Sequence, residues 1–354
     1  MSKKTAIIGA GIVGLVTAYT LAKKGYTVTL YEANNKAGEG ASTHNAGVIH
    51  VLQPPPWKWK SRLTKNAYKL YDELSRELDF PILETRTHLV YRGSWEKMIA
   101  VSIAVALKML GYKVSLTNRS QLKEDCPAIS NHIQGAVTVW NYRTVNPSDI
   151  IARLVDKLGD LGVEIYYNSP VRRVEEKTSH ITVYPVAAGG LDYRYVIVAA
   201  GPGSGSLAQD LGLRKIKTGY FKGVMVWTDL SCEAIIAGLR QPSRTGKTKG
   251  GAIIPWPDGR VLMGPSFQET NNPYDTSFSD EDLENTANNY TWILREEPVI
   301  KGGFAGTRVK NLEKDDFDVQ YTRRAIVFQG IDSPGFSTAP LLARLVYEWV
   351  IRND

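Results

Sequence analysis

The sequence predicts a mixed α/β (α+β) fold, in which a Rossmann-like nucleotide-binding domain is interleaved with an antiparallel-sheet domain. Three observations lead there. A short apolar strand at residues 5–8 runs into Gly9-x-Gly11-x-x-Gly14 and then a helix. Strand-like and helical stretches alternate through residues 87–203. Residues 215–311 break into short strands separated by turns such as Pro257-Asp258-Gly259, a pattern that suits an antiparallel sheet.

In the helix after the glycines, Leu15, Ala18, Tyr19 and Ala22 keep the i, i+3, i+4, i+7 spacing of one buried face. Lys23 and Lys24 place cations by its last carbonyls, and Gly25 caps it. A second strand, residues 26–31, finishes at Glu32. This arrangement has the chemistry of a pyrophosphate site. Gly9 makes the tight turn, Gly11 lets the backbone approach the phosphates beside Ile12 and Val13, and Gly14 allows helix to pack on strand. Glu32 is placed to accept hydrogen bonds from ribose hydroxyls.

The glycine motif alone does not separate NAD from FAD, but two later segments favour a built-in flavin. The loop GEGASTHNAGVIH, residues 38–50, can return under the dinucleotide. Its small Ala41, Ala46 and Gly47 permit close contact, while Ser42, Thr43 and Asn45 can donate to phosphate oxygens. VIVAAGPG, residues 196–203, ends a buried strand in a glycine turn. With Val171, its Ala200 and Gly201 can close over the adenine end.

Helices are expected at residues 63–78, 95–110 and 148–161, the last started by Asn146-Pro147, with a short one inside 118–127. Strands are expected at 87–92, 164–167, 180–185 and 325–329, followed by a glycine turn at 330–336 and a terminal helix. No repeat or long linker divides these parts. Segments 1–80, 141–212 and 300–354 are therefore assigned to the nucleotide domain, and 81–140 and 213–299 to the sheet domain.

The 354 residues suffice for about two domains of roughly 100–200 residues each. Lys plus Arg number 43 against 36 for Asp plus Glu, a modest excess that favours an anionic ligand or surface. It is spread along the chain, with no basic arm or aromatic array of the RNA-binding kind, so nucleic acid is not an expected partner. Cys126 and Cys232 stand in no ligand-like spacing, so neither a disulfide framework nor a metal site is expected, and a reducing compartment fits. The chain enters a strand pattern at once, leaving no room for a signal peptide. Residues 98–110 are apolar but short of the roughly 20 needed to span a bilayer, and read as one buried helix face. The expected location is cytoplasmic, with contact to the cytoplasmic face of a membrane, direct or through a partner protein, as an alternative. The run Trp57-Lys58-Trp59-Lys60 fits an interfacial contact, a lid or plain surface.

Taken together, the segments resemble the FAD-dependent oxidoreductases of the D-amino-acid-oxidase superfamily. The resemblance covers essentially the whole chain and is strongest for the glycerol-3-phosphate and L-2-hydroxyglutarate dehydrogenase branch. It rests on GAGIVG with Glu32, SxHNAGVIH from Ser42, VNPSDIIARL from Val145, VIVAAGPGS, PDGRVLMGP from Pro257, FAGTRVK from Phe304 and GIDSPGFSTAP from Gly330. It implies a tightly bound FAD between the two domains, substrate over the flavin face, and an anion-binding arginine, here Arg308. Gly306 and His44 would then touch the flavin. Gly330, Ser333, Pro334, Gly335, Phe336, Ser337 and Thr338 would frame its pyrimidine end, where backbone N–H groups stabilise negative charge.

The expected reaction is oxidation of glycerol 3-phosphate by hydride transfer to flavin N5, with a quinone or another acceptor taking the electrons. L-2-hydroxyglutarate oxidation and amine or glycine oxidation are the alternatives within the superfamily, and a nucleotide-binding module without redox chemistry is the alternative outside it. His50 is the expected base, because imidazole titrates near neutrality. Arg308 can hold phosphate or carboxylate in bidentate fashion. Lys222, Lys249 and Ser337 are further candidates for the substrate, and a homodimer is an open expectation. Bacterial glycerol-3-phosphate members of the branch usually carry an added C-terminal domain, whereas this sequence ends at Asp354, soon after the flavin helix.

Overall fold

In a computed structural model of the protein, residues 4–186, 188–239 and 251–354 are described. Two sheets organise them. The first has six strands in the order Asp318–Tyr321, Ala325–Gln329, Tyr195–Val198, Lys4–Ile8, Thr27–Tyr31, Glu164–Tyr166. All pairs are parallel except the outermost, Asp318–Tyr321 against Ala325–Gln329. The central strands are apolar along their length because helices and a small sheet cover both faces. One face carries Ile12–Lys23, Ala67–Leu78, Pro147–Asp160 and Gly335–Asn353 around Leu15, Leu30, Ile150 and Leu342. The other is covered by the antiparallel strands Val171–Glu176, Ile181–Pro185 and Leu191–Tyr193 and by helix Ser204–Asp210.

The second sheet is mixed and has ten strands, eight along its main path and two paired beside it. Its core strands are Ile82–Tyr91, Gly135–Val145, Thr218–Thr228, Ala252–Pro255 and Val261–Gly264. Ile300–Asn311 was grouped by sequence with the nucleotide segments; it pairs instead with Thr218–Thr228, Gly306 opposite Gly223 and Arg308 opposite Phe221. That pairing carries the FAGTRVK segment from the second sheet toward the first. Val48–Ile49 makes the reverse trip, leaving the first unit to pair with Gly135–Val145.

Three local expectations change. The helix read at 63–78 is two helices, Trp59–Thr64 and Ala67–Leu78. The apolar stretch 98–110 lies on helix Ser94–Met109, but within that helix only Ala100 and Leu107 are buried, and Met98, Val105 and Met109 are exposed. Apolar spacing marks a helix face without saying what covers it. Cys126 and Cys232, whose spacing indicated no disulfide framework, are joined as a disulfide 106 residues apart in sequence. Folding brings their loops together, where Glu233 N–H donates to Asp125 O at 2.7 Å. Among the described residues, no helix is long and apolar enough to cross a membrane.

Candidate active site

At the glycine turn, Gly9 has φ +104°, and a Cβ there would lie 2.4 Å from Ala199 O. The helix it introduces begins at Ile12, whose N–H donates to Ser42 Oγ at 2.9 Å. The loop therefore caps the helix from 30 residues away, and the Ser42 hydroxyl keeps its own proton to donate. Glu32 is buried, with Oε2 accepting from Ala10 N–H at 2.6 Å and Oε1 from Asn34 N–H at 3.0 Å. Each oxygen retains a further lone pair for a ribose hydroxyl.

One cavity of about 1130 Å³ runs from this turn to the second sheet, somewhat larger than the roughly 300–1,000 Å³ typical of ligand sites. Gly9, Gly11, Ile12, Val13, Glu32, Ala41, Ser42, His44, Asn45 and Ala46 line one end, together with Val171, Ala200 and Gly201. His50, Gly306, Arg308, Gly330, Ser333, Pro334, Gly335, Phe336 and Ser337 line the rest. A long cavity with a glycine turn, a capping hydroxyl and a buried carboxylate at one end fits a dinucleotide, with room left at the other end for a small substrate.

Several expected residues serve the protein's own packing and backbone. Gly14 packs helix on strand: a Cβ would fall 1.9 Å from Gly9 O. Gly47 lies against Val145 O in the same way, and the Thr338 hydroxyl donates to Pro334 O within its helix. Asn45 serves its own loop more than a phosphate, donating to Ser42 O at 2.8 Å and accepting from Gly47 N–H. Ser337 is fully buried; its hydroxyl donates to Val48 O at 3.0 Å and accepts from His50 N–H at 2.9 Å. Its one proton goes to the strand that delivers His50, which the hydroxyl thereby fixes in place. Lys222 is off the cavity wall, with Nζ 2.9 Å from Ser277 O and 3.4 Å from Asp275. Lys249 lies outside the described residues.

His50 is held on two sides, by the Ser337 bond to its backbone and by Tyr142, whose ring meets the imidazole edge-on at 6.1 Å. Gly306 explains how the two motifs meet: a Cβ there would be 2.2 Å from His44 O, so strand backbone lies directly on loop backbone. Two residues further along the same strand, Arg308 enters the cavity beside Gly223. Loss of water around the guanidinium presses its pKa below the ordinary arginine value, against the pull of Asp332 and Tyr290. Asp315 and Asp316, the obvious surface partners for an arginine here, bind other groups: Asp315 meets Lys58, Lys60 and Lys310, and Asp316 caps the Trp59–Thr64 helix.

The Trp57–Lys60 run divides accordingly. Trp57 is exposed, Trp59 packs edge-on against Phe317, and Lys60 is buried. Sequence reasoning missed Lys60, Asp332, Tyr142 and Tyr274, the last three of which line the cavity. Asp332 could have been found, since it sits inside the glycine turn already singled out. Lys60 could not, because nothing in an alternating Trp-Lys run shows which lysine turns inward.

The fold and this cavity define an FAD-dependent oxidoreductase. The chain belongs to the DAO family, whose model, described as FAD dependent oxidoreductase, matches residues 4–349. It is 24% identical to glycerol 3-phosphate dehydrogenase of Caloramator mitchellensis over 98% of this chain and 73% of that protein. It is 25% identical to glycerol 3-phosphate oxidase of Mycoplasma genitalium over 97% of this chain and 93% of that protein. Dithionite-reduced L-α-glycerophosphate oxidase of Mycoplasma pneumoniae, solved with FAD bound, superposes with a TM-score of 0.85 at 19% identity, covering 98% of this chain and 94% of that one. Glycine oxidase of Geobacillus kaustophilus superposes at 0.84 and 19% identity, covering 99% and 95%.

Proposed function

We propose that the protein oxidises glycerol 3-phosphate to dihydroxyacetone phosphate and passes the electrons to a quinone or another acceptor. The observation carrying this reading is the placement of Arg308 in the same cavity as His50 and the nucleotide turn. The glycerol-3-phosphate enzymes among its relatives support it.

Each residue has a defined task. Arg308 binds the phosphate through two parallel N–H groups, fixing orientation as well as charge. His50, neutral at the start, takes the proton of the hydroxyl being oxidised. When bound, FAD supplies the two-electron acceptor for the hydride leaving the same carbon. The bound phosphate dianion offsets the charge that His50 gains, so substrate and proton acceptance support each other.

The test is anaerobic mixing of the flavin-loaded protein with glycerol 3-phosphate, L-2-hydroxyglutarate and glycine in turn, following flavin absorbance. Rapid bleaching by glycerol 3-phosphate is expected. Bleaching by glycine or L-2-hydroxyglutarate alone would replace this substrate assignment, and a colourless preparation releasing no flavin on denaturation would remove the redox reading.

A further inference from the structure

Behind Arg308 runs a row of alternating charges that the reaction described above does not use. Lys60 is 1% exposed, and its Nζ lies 3.0 Å from Asp332 Oδ1 and 3.0 Å from Asp315 Oδ1. Asp315 is also met by Lys58 at 2.7 Å and Lys310 at 3.4 Å. Asp332 is itself buried, sits in the turn between Gly330 and Gly335, and walls the same cavity as Arg308, whose charged form its own charge favours.

A buried carboxylate in the same cavity wall as an anion-binding arginine is a liability. With no counter-charge of its own it would pair with the guanidinium and oppose an incoming phosphate or carboxylate. A buried lysine is equally costly unless paired. Where Lys60 meets Asp332 each supplies the other's counter-charge, with Asp315 sharing the same ammonium. We infer that Lys60 is a positioning residue for the substrate anion: by engaging Asp332 it holds that carboxylate in the turn and leaves the Arg308 guanidinium available to substrate. Lys60 reaches Asp332 because Asp316 fixes the start of its helix, accepting from Trp59 N–H at 2.9 Å and Lys60 N–H at 3.0 Å.

The inference rests on Arg308 as the anion clamp, so that residue sets the scale of the test. Flavin-loaded parent, Arg308→Met, Lys60→Met, Asp332→Asn and the Lys60→Met/Asp332→Asn double variant are titrated with inorganic phosphate, read by the flavin absorbance shift. KM and kcat for glycerol 3-phosphate are measured alongside. Lys60→Met should weaken phosphate binding and raise KM about tenfold or more while kcat changes less. Asp332→Asn should tighten phosphate binding several-fold, a gain that a purely structural role would not produce. The double variant, with both charges gone, should bind phosphate within about threefold of the parent.

If Arg308→Met weakens binding while Lys60→Met stays within twofold of the parent, the inference falls and the clamp stands. If Arg308→Met leaves phosphate binding unchanged, both fall. Should Lys60→Met fail to fold with flavin, the remaining two variants decide: weaker phosphate binding in Asp332→Asn, or a double variant as poor as Arg308→Met, overturns the inference.

Discussion

Gly306→Ala tests whether the strand bearing Arg308 and the loop bearing His44 are set by backbone contact. The added methyl would sit 2.2 Å from His44 O and 2.6 Å from His44 Cβ, against ordinary contact beyond about 3.4 Å. No rotamer relieves a clash with backbone, so the strand and loop must part by about 1 Å. Overpacking of this kind costs roughly 1–3 kcal/mol. The loop is one wall of the dinucleotide end, so most of that cost should appear as lost flavin affinity, a rise in Kd of about 5- to 150-fold at 1.4 kcal/mol per decade. Titration of apoprotein with FAD, followed by quenching of flavin fluorescence, measures it. A Kd within twofold of the parent would show that the loop position does not depend on this contact.

Ser337→Ala leaves His50 N–H and Val48 C=O without their partner at a fully buried site, for a loss of about 1–3 kcal/mol for each group that water does not reach. Chemical unfolding should show that loss, and kcat should fall with it because His50 is less well placed; an unchanged kcat would separate the Ser337 bond from catalysis. Gly223→Ala would bring a methyl within 3.0 Å of Arg308 Nη2 and 2.9 Å of Pro265 Cβ, so KM for the anionic substrate should rise with little change in flavin affinity. An unchanged KM would mean that the guanidinium is not positioned there. Burial holds the His88 pKa below its ordinary 6.5, despite the nearby Asp125 carboxylate. The unfolded chain therefore takes up this proton first as pH falls, so stability from His88 is fully present above about pH 6.5 and declines below it. His88→Gln should flatten that part of the stability profile, and an unaltered slope between pH 6.5 and 5 would refute the assignment.

The sequence made the nucleotide end legible because its requirements are local. Gly9, Gly11, Gly14 and Glu32 all belong to one strand–helix–strand unit, and their spacing follows from backbone geometry alone. The substrate end was legible only as separate motifs. Arg308 could be proposed, but Gly223, which leaves room for its guanidinium, lies on the neighbouring antiparallel strand, and register is a tertiary property. Ser337 illustrates the limit from the other side. Its residue type suggested a substrate contact, yet a hydroxyl has one proton, and the neighbouring strand takes it. The helix Ser94–Met109 failed for a related reason: periodicity reports amphipathicity, while burial depends on what the rest of the chain brings alongside.

The charges follow the same division. Summed over the chain, the basic excess is small and scattered, and gives no indication of where an anion would bind. In the folded protein Lys58, Lys60, Arg308 and Lys310 gather around Asp315 and Asp332, one cation facing the cavity and the rest behind it. Pairing behind the wall lets a lysine and an aspartate remain buried without imposing their charges on the substrate. The guanidinium at the front, short of water and offered no full ion pair by Asp315 or Asp316, is then the group on which an arriving anion has most effect. Replacing Lys60 should therefore raise KM for glycerol 3-phosphate and for L-2-hydroxyglutarate alike before it abolishes oxidation, and replacing Asp332 should lower it; steady-state kinetics in which neither KM moves would refute this account of the charges.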